Sequence, residues 1–199
     1  MSDWPMLVHP EDREPSLATI QNHLDGKTRL YSLEQRIKHK KGHWVWSLSR
    51  GMVVSRDENG SPNRVVGTFT DITHHKEAEA LIWRQANVDL LTGLANRRQF
   101  QTRLRETIEQ CPSDASEKVV LMFLDLDNFK TINDTHGHHH GDALLKEAAQ
   151  RLSGCVSDKG FAARLGGDEF TVVLSKITQI QEATDELIIF WMCFPGPLR

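Results

Sequence analysis

Two short runs place carboxylates where a fold finds them expensive. The first, Asp125-Leu126-Asp127, ends a nearly unbroken apolar stretch over residues 119–124. Such a stretch fills a central strand buried on both faces. A carboxylate at its end is tolerated when a cation pairs with it. The strand period of two puts Asp125 and Asp127 on one side, so the pair either holds a cation or spends one member capping the next turn. The second run is Arg164-Leu165-Gly166-Gly167-Asp168-Glu169-Phe170, with strand-like sequence on both sides. Gly166 and Gly167 permit positive φ and close approach of a ligand to the backbone, and Asp168 and Glu169 put hard oxygen ligands at the tip. Gly-Gly-Asp alone is equally an ordinary hairpin turn. If the two strands pair, Asp125 and Asp168 converge, and two carboxylates plus substrate phosphates is how Mg²⁺ is usually held. Phosphoryl or nucleotidyl transfer is then the leading chemistry.

Residues 128–142 lie between these runs. Lys130 supplies a compact positive charge suited to phosphate, and Asn133 and Asp142 offer amide and carboxylate edges able to read a guanine. His136, His138, His139 and His140 fall within five positions. Their Gly-bounded segment lacks the helical spacing of a zinc site, and a polar loop is the expected setting for His136, His139 and His140.

The elements that must position these groups divide into two regions. Over residues 31–70, Leu33, Gln35 and Ile37 alternate with polar residues, Lys41-Gly42 reads as a turn, and Trp44, Trp46 and Leu48 alternate again. Third and fourth strands are expected around 52–54 and 64–69, separated by Asp57-Glu58-Asn59-Gly60, whose Asn-Gly suits a tight turn. A short helix over 11–24 precedes them. Residues 73–88 turn helical, with Ala78, Leu81, Gln85 and Val88 at alternating three and four spacing, as either a short coiled coil or a linker helix on its own domain. Beyond it the pattern alternates: helix 97–110, strand 119–125, helix 142–152 with a Leu145, Ala148, Ala149, Leu152 core stripe, strands 161–165 and 170–174, and a helix-like stretch 181–190. The fold class is α+β or mixed α/β.

Composition narrows the partners. The 199 residues are 39% hydrophobic with net charge −3, a soluble globular balance that sets up no global field toward nucleic acid or membrane. Lys38, Lys40 and Lys41 beside Trp44 and Trp46 are better read as a solvated hairpin rim than as a single-strand platform. Cys111, Cys155 and Cys193 are odd in number and without CxxC spacing, which argues for a reducing, cytoplasmic setting. Residues 1–15 do not resemble a signal peptide, and the longest apolar run, 187–194, is too short to span a bilayer.

Residues 89–98, 125–130, 132–142 and 166–170 match four motifs together, and by them the stretch from Asn87 to Phe190 resembles a GGDEF domain of the diguanylate cyclase family. The resemblance implies a palm-type, nucleotidyl-cyclase-like central sheet flanked by helices, and condensation of two GTP into cyclic di-GMP and two pyrophosphates by a homodimer. It implies one or two Mg²⁺ ions per site, held by Asp125, the Leu126 carbonyl and Asp168, with Glu169 in support and Asp168 also activating the 3′-hydroxyl. Lys130 then faces the phosphates, while Asn133, His138, Asp142, Gly166 and Gly167 sit on the substrate. Residues 7–80 resemble the C-terminal half of a PAS domain, through residues 8–14, 42–46, 57–60 and 67–73 followed by Lys76 and Glu79. The domain plan expected is a partial PAS-like sensor over 1–73, a linker helix over 74–88, a partial GGDEF domain over 89–190 and an unmatched tail over 191–199.

Two departures from the family pattern stand out. Ser157-Asp158-Lys159-Gly160 replaces the family's Arg-x-x-Asp feedback site. The strands, helix and basic phosphate-holding motif that follow the hairpin in the family are not found before Arg199. The second departure supports an alternative expectation, a catalytically inactive fragment that binds GTP or dimerises.

Overall fold

The structure is a computed structural model and describes residues 4–112, 116–156, 160–179 and 181. The stretch 181–190 apart from its first residue, the tail 191–199 and positions 157–159 of the replaced feedback site lie outside the described residues. The chain divides into two compact units, Met1–Ala80 and Leu81–Arg199.

In the first unit a short helix α1 (Trp4–Leu7) and a longer α2 (Pro10–Leu24) precede the antiparallel strands β1 (Tyr31–Lys38), β2 (Trp44–Arg56) and β3 (Pro62–Asp71), in the order β1-β2-β3. Helix α2 begins where the sequence favours it. His9 Nδ1 accepts the Glu11 N–H, Pro10 occupies the first turn, and Glu11 and Asp12 face the positive end of the helix dipole. Side chains pin both ends of α2 to the sheet. Arg36 of β1 donates through its backbone N–H, Nε and Nη2 to Asp12 at 2.7–2.9 Å, and also to Glu11. At the other end, buried His23 accepts the Val53 N–H on Nε2 at 2.9 Å, while its Nδ1 bonds the Thr28 carbonyl.

The sequence suggests four strands here, and the structure has three. Residues 52–54 continue β2, because Gly51 lies flat in the strand with the Tyr31 ring packed against its bare Cα, so the chain runs straight through the position that reads as a break. Both turns behave as expected: Gly42 and Gly60 have φ of 90° and 79°, and Asp57 Oδ1 accepts the N–H groups of Asn59 and Ser61. The tryptophans of the basic hairpin have partners within the unit. Trp44 meets His9 edge-on, and Arg36 and Lys76 lie over Trp46 at 5.4 and 5.5 Å.

The Arg36 hydrogen bond, which outweighs the cost of burial, holds the Asp12 carboxyl below its ordinary value. A depressed carboxylate stabilises the fold above its unfolded pKa, and that contribution disappears as pH falls through the folded one. Asp12→Ala is expected to cost about 1 kcal/mol at neutral pH. In thermal melts from pH 7 to pH 3, the gap between variant and wild type should close toward the acid end.

A helix α3 (Thr73–Asn87) follows, with none of its residues buried. The second unit continues with α4 (Arg97–Glu109), β4 (Lys118–Asp125), α5 (Phe129–His136), α6 (His138–Cys155), β5 (Gly160–Gly166) and β6 (Glu169–Ile177). Its antiparallel sheet has the order β4-β6-β5. Strand alternation separates two cores. On one face Leu145, Ala148, Ala149 and Leu152 of α6 pack with Ala162, Phe170, Val172 and Leu174; on the other, Phe100 of α4 packs with Phe161, Ala163 and Val173. The α6 stripe is the one read from spacing, and Leu145 and Leu152, almost wholly buried, each contribute about 2 kcal/mol.

Two expectations need correction. β4 is an edge among the described strands, not a central one. Its α6 face is half-buried, but Leu121 and Phe123 on the other face are exposed, because the α4-side core is built on β5 and β6. The histidine segment is helical, not a polar loop: His136 closes α5 and His138–His140 form the first turn of α6. Gly137, at φ 85°, breaks one helix and lets the next begin at once. Among the described residues no helix is long and apolar enough to cross a membrane.

Candidate functional site

Antiparallel pairing of β4 with β6 sets Asp125 directly opposite Glu169. Both therefore lie on the sheet face that α4 covers. The β5–β6 hairpin closes just beyond, with Gly166 paired to Glu169 and Gly167-Asp168 as the two-residue tip. Gly166 and Gly167 have φ of 147° and 56°, values that side chains oppose, and space is open where a Cβ at either would point. The strand-pairing condition is thus met, and the carboxylates meet at one end of the sheet.

Electrostatics supports their proximity. The Asp125 carboxyl is raised above its ordinary value, first by the charge on Asp168, then by desolvation, Glu169 and Asp127. The strand ends at Asp125, so its alternation does not extend to Asp127, which lies in the following turn. Among the described residues no three His, Cys, Asp or Glu side chains form a closed metal-binding set. The donors instead form an open cluster. Glu169 lies 3.5 Å from Arg97 Nη2, and the Leu126 carbonyl accepts the Phe129 N–H at 3.2 Å. Arg97, Leu124, Asp125, Leu165, Glu169 and Phe170 line a surface hollow at this edge.

A half-buried brace underlies the hairpin tip. The Arg164 guanidinium donates through Nε and Nη2 to the Gly167 carbonyl at 3.0 and 2.7 Å, and through Nη1 to both oxygens of Asp89 at 3.0 and 3.2 Å. Asp89 also accepts the Thr92 N–H and hydroxyl at 2.9 and 2.6 Å. Burial raises the Asp89 pKa, but the hydrogen bonds from Thr92 and Arg164 outweigh it and leave the carboxyl below its ordinary value. The peptide preceding Asp168 is thereby tied to the turn that follows α3. Both residues stand in motifs quoted above, yet they are 75 positions apart, and no spacing rule pairs them. The Arg97–Glu169 contact is equally invisible in the sequence.

The other site residues belong to α5 and α6. Asn128 adopts φ 60°, a left-handed conformation that asparagine tolerates, and α5 starts directly after the turn. Sequence reading misses this short helix; the Phe129 and Ile132 spacing is its only trace. Lys130 is exposed in its first turn, and Asn133 is half-buried one turn later. His138 opens α6 and Asp142 follows in its second turn, both exposed. Neither helix has a side-chain N-cap.

Known proteins resemble this chain over both of its units. The family described as diguanylate cyclase, GGDEF domain, matches residues 86–189, and the PAS fold family matches residues 1–69. The signaling protein YkoW of Bacillus subtilis is 48% identical over 105 residues, which is 53% of this chain and 13% of YkoW. The Escherichia coli cyclic di-GMP phosphodiesterase PdeR is 34% identical over 149 residues, 75% of this chain and 22% of PdeR. A solved sensory box/GGDEF family protein from Caulobacter crescentus is 42% identical with a TM-score of 0.52, covering 57% of this chain and 73% of that one. The chain thus matches 13% and 22% of the length of these two curated relatives.

Proposed function

The chain belongs to the GGDEF-domain diguanylate cyclase family, and from that premise we propose that its second unit condenses two GTP into cyclic di-GMP and two pyrophosphates, under control of a PAS-like region. The observation that carries this reading is the cluster of Asp125, Glu169 and the tip residue Asp168, close enough to hold Asp125 above its ordinary pKa. Two carboxylates with room for phosphates suit Mg²⁺. Asp125, Asp168 and the Leu126 carbonyl would hold it, with Glu169 in support, and the bound ion would neutralise charge on the phosphates.

The chain's own groups do the rest. The Asp168 carboxylate takes the proton of one GTP's 3′-hydroxyl. That oxygen bonds to the α-phosphorus of the second GTP, whose pyrophosphate leaves; the same exchange in the other direction closes the ring. The Lys130 ammonium and the uncapped amides of α5 draw the phosphates. Gly166 and Gly167 leave the backbone open to close approach, and Asn133 and Asp142 read the guanine edge, with His138 beside them on substrate. Each nucleotide needs its own site, so the reaction requires two copies of the chain. Helix α3 offers exposed Leu81, Ile82 and Trp83 as a seam for that pairing, consistent with a plan in which 1–73 senses, 74–88 links and 89–190 catalyses.

The metal reading has its own test. A raised carboxylate loses stability as pH climbs through its folded value, so the cluster is under strain at neutral pH until a cation enters. Without divalent ions, Asp125→Asn is expected to melt at or slightly above the wild-type temperature. Millimolar Mg²⁺ with GTP should raise the wild-type melting temperature and leave that of Asp125→Asn unchanged, measured by calorimetry. An equal rise in both would remove Asp125 from the metal site.

A further inference from the structure

Asn133 and Asp142 come from different helices, and the residue just before Asp142, which has no side chain, lies against Asn133. Gly141, in the first turns of α6, is buried, and the Asn133 carboxamide of α5 lies against its bare Cα. A Cβ at Gly141 would fall 2.9 Å from Asn133 Cγ and 3.2 Å from Nδ2, and closer still to Oδ1. The amide therefore occupies the space any other residue at 141 would fill, one position before Asp142.

We propose that Gly141 is a specificity-determining positioning residue, whose missing side chain leaves the space in which the Asn133 amide sits, one position from Asp142. The inference rests on reading Asn133 and Asp142 as the guanine-recognising pair. Helix propensity gives no reason for glycine at this position. Glycine within a helix is less favourable than alanine, and the atoms a Cβ would meet belong to the Asn133 side chain rather than to backbone. The consequence of a Cβ is thus a misplaced amide in an intact corner.

The test uses the full chain, with GTP and ATP titrated calorimetrically in Mg²⁺ buffer. Wild type is expected to prefer GTP. Gly141→Ala should keep its helical circular dichroism and a melting temperature at or above wild type, yet lose roughly tenfold in GTP affinity with no change toward ATP. Asn133→Ala should lose a similar factor, and the double variant no more than Asn133→Ala alone. Wild-type GTP affinity in Gly141→Ala, with Asn133→Ala weakened, overturns the role of Gly141 and leaves the base reading standing. Wild-type affinity in Asn133→Ala overturns the base reading itself. Additive losses, or unfolding of Gly141→Ala that Asn133→Ala repairs, would make Gly141 a packing residue and refute the proposal.

Discussion

Asp168→Ala is expected to reduce conversion of GTP to cyclic di-GMP by about a thousandfold or more, with no loss of thermal stability. The variant removes the proposed base and a metal ligand together, which accounts for the size of the kinetic effect. Stability follows from the side chain's position. Asp168 stands at the tip of a two-residue turn, outside both hydrophobic clusters, and its charge is the leading cause of the raised Asp125 pKa. Deleting it relieves that repulsion, so the metal-free variant should melt no lower than wild type. Product chromatography beside calorimetry checks both halves; retained turnover would strip Asp168 of its role.

Arg164→Met should damage both properties. The guanidinium is 11% exposed and faces a carboxylate that is 24% exposed, so its removal leaves a half-buried Asp89 without its cation and costs about 1–2 kcal/mol. The same change frees the Gly167 carbonyl and loosens the peptide that carries Asp168, so turnover should fall more than GTP affinity. Asp89→Asn combined with Arg164→Met is expected to recover part of the stability, since the stranded charge is gone, and none of the turnover, since the tip stays unbraced. Recovery of turnover in the double variant would show that the brace serves folding alone.

Much of this site is legible in the sequence because its parts are local. Asp125 ends an apolar run, Gly166-Gly167-Asp168 sits between strand patterns, and the α6 stripe repeats at helical spacing; each is decided by neighbours within a few residues. What stayed hidden depends on partners far along the chain. Arg164 finds Asp89 only after the sheet forms, and Arg97 reaches Glu169 only because α4 covers the face that Asp125 and Glu169 share. The errors have similar causes. β4 looks central by composition, yet strand order leaves Leu121 and Phe123 exposed. Four histidines look like a loop, yet one positive φ at Gly137 separates two helices. A separate strand was expected around 52–54, yet β2 runs on through Gly51, where the neighbouring Tyr31 ring packs against the bare Cα. The contact of Gly141 with Asn133, eight residues apart, reads as nothing in the sequence, since only the corner between α5 and α6 makes them touch.

The carboxylate cluster at the β4–β6 edge is expected to condense GTP. Incubating the purified chain, at concentrations high enough to pair two copies, with GTP and Mg²⁺ and resolving the nucleotides by mass spectrometry tests it directly. Cyclic di-GMP is expected, with two pyrophosphates released per product, dependent on Mg²⁺ and absent from Asp168→Ala. Unconverted GTP at high protein concentration would contradict that expectation and leave the chain a nucleotide-binding or dimerisation module.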